Sequence, residues 1–221
     1  MYGSPARLLQ GHRYALLFWT LLATITVGPL LDALRFGDDA LEALLFGCLI
    51  AAVFPIGVSL KRIVLVMLVL SVQVLRGLAR ESSNDVVPLL GALMWCLLGA
   101  LAAFHAIRYS LSSARVESEH FYAALSGYLL LGTCGGVIVA TLSSISPASM
   151  LVGGQPARQG LGFGDSIYFS FVTLATLGYG DISPASKITR GLAVLLCIIG
   201  QFYLALLIAR LVGLRSSPPG S

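Results

Sequence analysis

Six consecutive residues, Thr176-Leu177-Gly178-Tyr179-Gly180-Asp181, combine what a backbone needs to strip water from a small cation. Gly178 and Gly180 enter left-handed conformations at little steric cost, so a run built on them can turn its carbonyls toward a common axis. Those carbonyls, with the carbonyl and hydroxyl of Thr176, are hard neutral oxygens able to replace the hydration shell of a monovalent ion. In a water-exposed loop the same letters would make only a glycine-rich turn, so the flanking elements decide the chemistry.

Those elements are long and apolar. Of the 221 residues 57% are hydrophobic and 11% charged, less than half the charge of an ordinary soluble domain. A helix needs about 20 apolar residues to cross the hydrocarbon core. Apolar runs of about that length lie at 14–31, 43–60, 63–79, 86–107, 121–145 and 191–214, uncharged apart from Arg76 in the third and Arg210 in the last. Pro29 closes the first run, Pro55 and Gly57 break or end the second, and the third relies on Arg76 and Arg80 snorkelling to the interface. Gly132 and Gly136, with Gly135 between them, let a neighbouring helix approach the fifth.

Two segments do not span. The polar stretch 108–120 reads as a cytoplasmic linker between two modules, 1–115 and 116–221. The Gly/Pro/Ser-rich stretch 146–164 reads as a loop, and its Gly160-Leu-Gly-Phe-Gly lacks the strand and acidic partner of a nucleotide fingerprint. Residues 165–175 then form a short helix with Asp165 and Ser166 as N-cap candidates. At 1.5 Å per residue such a helix crosses about half the bilayer. A half-length helix followed by extended backbone at that depth must line a cavity enclosed by protein. The stretch therefore reads as a re-entrant pore loop.

In this setting the six residues resemble the T-V-G-Y-G-D signature of the potassium-channel pore family, with Leu177 in the usual valine position, over residues 121–213. The resemblance implies an all-α membrane protein of six transmembrane helices plus a re-entrant pore helix and filter loop. It implies a filter for K+ built from Thr176, Leu177, Gly178 and Tyr179, with Gly180 as the outer turn. One pore loop offers carbonyls on one side only, and the chain has no second Gly-Tyr-Gly. Three further copies, in a homotetramer within the lipid bilayer, are therefore implied. By family position Tyr168 supports the filter by bonding Asp181 at the outer mouth, and Gly200 is read either as a gating hinge or as a glycine required by packing. Val172 stands where some members carry a carboxylic acid behind the filter. The layout is similar to prokaryotic voltage-gated potassium channels, yet the fourth run has no Arg or Lys between Asp85 and Arg108. Each charge crossing the field is worth about 2.3 kcal/mol per 100 mV, so little or no voltage dependence is expected.

The remaining signals bound the function. The four cysteines, Cys48, Cys96, Cys134 and Cys197, sit in separate apolar runs, without zinc spacing, and read as free thiols. The net charge of +4 is spread singly between apolar runs, which gives no nucleic-acid surface. No nucleophile-base pair suggests an enzyme, and no cofactor is expected. With the N-terminus inside, eight of the 14 Lys and Arg residues are cytoplasmic, which favours that orientation. Both termini then lie inside, in a multi-pass plasma-membrane protein with no evident cleavable signal. If the short tails are the whole of the termini, gating is expected from the membrane, ions, pH, the filter or a separate regulatory partner; His105 is titratable near the inner face, although a single histidine there reads first as a polar end-residue. Gln201 is an odd polar residue in an apolar helix, read either as part of the gate or as an interhelical hydrogen bond. A subunit of a potassium uptake transporter and a weakly selective monovalent cation channel are the competing readings.

Overall fold

The computed structural model describes residues 13–33, 47, 48, 50, 86–112, 118–158 and 160–216. The expected spans at 43–60 and 63–79 lie outside these residues, apart from 47, 48 and 50. Five named helices are described: α1 Arg13–Ala33, α2 Val86–Ser112, α3 Ser118–Ile145, α4 Phe163–Leu174 and α5 Lys187–Ser216. Leu89–Ser110, Ser118–Ile145 and Lys187–Arg210 are long and apolar enough to cross a membrane, and α1 adds an apolar section, Tyr14–Val27. The protein is thus mostly helical and membrane-embedded.

The outer helix α3 is the common surface. Tyr14, Leu17 and Leu21 of α1 and Ala102, Ala103 and Ala106 of α2 bury against its Ala123 and Leu130. Further along, Ala92, Trp95 and Leu98 of α2 meet Cys134 and Val137. The described N-terminal helices therefore pack on the outer helix of their own chain. The expected linker 108–120 is shorter than the polar composition suggests, because both flanking helices extend into it. The Tyr109 ring stacks on Tyr14 at 4.6 Å and on His120 at 4.7 Å, which gives the helix ends a buried purpose. Glu119 accepts from the Tyr14 backbone N–H at 3.0 Å, satisfying a donor at the start of α1.

The half-length helix α4 packs into the glycine-rich face of α3. A Cβ added at Gly132, Gly135 or Gly136 would collide with Phe171, Ser170 or Ile167 of α4, respectively. Ser170 donates to the Gly132 carbonyl at 2.7 Å, in a buried position. The glycines read from the sequence as a helix-approach surface thus serve the half-length helix α4.

The all-α expectation needs one correction. The stretch 146–164 contains a 3-10 turn, Pro147–Ser149, and strands β1 Met150–Val152 and β2 Gln155–Pro156. With β3 Ile182–Pro184 they form a three-stranded antiparallel sheet in the order β2-β1-β3. Gly153 and Gly154, with φ of 57° and 80°, make the two-residue turn between β1 and β2, the hairpin geometry that requires positive φ at both positions. Met150 is buried with Val139, Leu161 and Phe169, which anchors the sheet between α3 and α4.

Candidate ion-filter site

The site begins with how α4 ends. The Thr176 N–H bonds the Thr173 carbonyl at 3.0 Å and the Leu177 N–H bonds the Val172 carbonyl at 2.9 Å. This is the Schellman arrangement of a helix C-terminus, in which the residue after the cap takes a left-handed conformation. Glycine normally fills that position. Here it is Thr176, at φ 58°, the one non-glycine with positive φ among the described residues. A β-branched residue held there stores strain on the order of 1–3 kcal/mol, which persists where surrounding structure or function demands the side chain.

From Thr176 the backbone alternates in hand. Thr176, Gly178 and Gly180 have φ of 58°, 61° and 82°, whereas Leu177 and Tyr179 keep negative φ. Alternating left- and right-handed residues orient successive peptide groups alike, gathering N–H groups on one side and carbonyls on the other. All six residues from Thr176 to Asp181 are exposed in the single chain, Leu177 to 57% and Tyr179 to 68%.

Both flanks of this strand are held. At the outer end the Tyr168 hydroxyl donates to Asp181 Oδ2 at 2.8 Å, and the Asp181 carbonyl accepts from the Gly153 N–H at 2.7 Å. The sequence pointed to the first contact; the second was missed with the sheet. Register pairs Val152 with Ile182 and Met150 with Pro184, so β1 grips the chain as it leaves the candidate filter. The Ser149 carbonyl accepts from Ala185 N–H at 2.8 Å, Ser186 N–H at 3.2 Å and Thr189 Oγ1 at 2.9 Å. Behind the strand, buried Val172 supplies a backbone carbonyl rather than a carboxylate.

Two expectations about helix starts are corrected. The N-cap of α4 is Gly162, without a side-chain cap, and Asp165 falls in the first turn. Ser166 instead donates its hydroxyl back to the Gly162 carbonyl at 2.9 Å. The inner helix α5 starts at Lys187 rather than 191, because Ser186 Oγ accepts the Thr189 N–H at 3.1 Å and caps it.

On the inner side, Gly200 is buried and α5 runs through it unbroken. A Cβ there would collide with the Leu174 carbonyl oxygen at the end of α4, so the close approach itself requires glycine. Beside it, Gln201 Nε2 donates to Thr176 Oγ1 at 3.2 Å, and that hydroxyl donates to the Ala175 carbonyl at 2.7 Å. His105 lies exposed on α2, in a different part of the chain.

Residues 123–214 match the ion channel family. The chain is 44% identical over 50 residues to two-pore potassium channel 4 of Arabidopsis thaliana, covering 23% of this chain and 18% of that protein. It is 34% identical over 91 residues to a protein of Rhodopseudomonas palustris assigned as a potassium channel, covering 41% of this chain and 20% of that protein. Two-pore potassium channel 3 of Arabidopsis thaliana is 35% identical over 48 residues, or 22% of this chain and 11% of that protein. The chain thus spans a fifth or less of the length of these relatives. No solved structure matches it.

Proposed function

We propose, from the premise that this chain belongs to the potassium-channel pore family, that it is the subunit of a homotetrameric, potassium-selective channel. The family is one of channels and not of enzymes. The observation that carries the proposal is the alternating backbone at Thr176, Gly178 and Gly180, strung between a half-length helix and a full span. Carbonyls of Thr176, Leu177, Gly178 and Tyr179, with the Thr176 hydroxyl, supply stacked sites for dehydrated K+, and Gly180 turns the chain at the outer end. Carbonyl rings of this kind replace the ion's hydration shell.

One strand covers one side of an ion, so four copies around an axis complete the site. Two features favour that assembly. Only 11% of the best apolar window of α5 is buried within the single chain, and large side chains such as Val194, Ile198, Phe202 and Leu206 are exposed. Exposed apolar surface on that scale calls for partner helices or lipid. Tyr168 and Asp181 brace the outer mouth. Gly200 seats α5 against Leu174, so a hinge at this glycine moves the support under the filter. Helix α2 carries no sensing charge ahead of Arg108, and conduction depends weakly or not at all on voltage. The protein sits in the plasma membrane with both termini cytoplasmic.

Purified protein tests the assembly and the activity together. The expected complex has four times the 23.3 kDa chain mass and releases K+ from loaded liposomes. A complex of another order, or liposomes that retain K+, would overturn the proposal.

A further inference from the structure

Gln201 is the one residue outside the candidate filter whose side chain touches a filter oxygen donor, among the hydrogen bonds of the described residues. Its position is unusual for its type: an exposed amide in a strongly apolar helix, directly after the glycine that lets that helix reach the base of the filter. The contact is 3.2 Å from Gln201 Nε2 to Thr176 Oγ1.

A hydroxyl has one hydrogen to give and two lone pairs to offer. The Thr176 hydrogen is committed to the Ala175 carbonyl at 2.7 Å, and one lone pair accepts from Gln201. The second lone pair remains for an ion. A free hydroxyl rotor would spend part of its time presenting its positive hydrogen to the cation, whereas the Gln201-Thr176-Ala175 chain turns that hydrogen away. Donors aligned in sequence also polarise one another. We infer that Gln201 is a positioning residue that fixes the Thr176 hydroxyl and thereby sets the affinity of the innermost cation site. This inference rests on the reading of Thr176 as a filter residue.

The test uses the full chain reconstituted in bilayers, as wild type, Gln201→Met and Gln201→Leu. Both substitutions keep approximate side-chain size at an exposed helical position and remove the donor. The probe is barium applied from the inner side, a cation close to K+ in size with twice the charge, so the same oxygens bind it. Loss of one hydrogen bond is expected to weaken barium block about two- to tenfold. Block by tetrabutylammonium, too wide to enter the filter, is expected to change less than twofold. Unchanged barium block in both variants overturns the inference. Equal weakening of both blockers also overturns it, since Gln201 would then only line the cavity. A wild-type chain that does not discriminate K+ from Na+ overturns the filter reading itself, and the inference with it.

Discussion

Thr176 carries two conflicting demands. The end of α4 asks for glycine at this position, since the backbone is left-handed at φ 58°, while an ion site asks for a hydroxyl. Relieving the conflict separates the two roles. Thr176→Gly is expected to leave thermal stability unchanged or raise it by about 1 kcal/mol, while K+ selectivity falls. Melting curves and ion flux on the same preparation check this, and lower stability in the glycine variant would mean that no strain was stored. At the other end of the strand, Tyr168→Phe removes the 2.8 Å bond to Asp181 and is expected to loosen the end of the strand. The measurable consequence is faster loss of current during sustained opening. Unchanged current decay would mean that the Gly153 N–H and β3 hold Asp181 unaided.

At the scale of elements, much of the site was legible because its signals are local. A half-length helix, two glycines at alternate positions and a long apolar run can be read from residue types and spacing. The Tyr168 to Asp181 contact was legible only through family position, because nothing local brings together residues on a helix and past a filter. The three-stranded sheet was missed although Met150-Leu-Val-Gly-Gly-Gln carries a hairpin signal, two glycines after a short apolar run. Each strand is only two or three residues long, and β3 joins from beyond the filter, a pairing no sequence window contains. The start of α5 differs for another reason: Lys187 and Arg190 mark a charge boundary in the sequence, whereas Ser186 capping sets the helix start four residues before 191. Gly200 has a packing role that the structure displays directly. Because an added Cβ meets a backbone carbonyl that cannot swing aside, Gly200→Ala is expected to destabilise the assembly by about 1–3 kcal/mol as well as shift open probability. Thermal dissociation of the complex checks this, and a pure gating change at constant stability would favour the hinge alone.

Taken as a whole, the chain joins residues 123–214, which match the ion channel family, to N-terminal helices that pack on α3. Within α2 no basic residue precedes Arg108, so conductance is expected to change little between −100 and +100 mV, where about 2.3 kcal/mol per charge is available at each 100 mV. A steep conductance-voltage curve would contradict that account. In the proposed channel the backbone from Thr176 to Gly180, with Leu177 in the second position, is what selects potassium. The most direct measurement is the reversal potential of the reconstituted chain with potassium salt on one side of a bilayer and sodium salt on the other. A potassium-selective filter gives a strongly displaced reversal potential of the sign set by outward K+ movement from the potassium side, and a shift tracking the K+ gradient alone. A reversal potential near zero, insensitive to exchange of K+ for Na+, would contradict it.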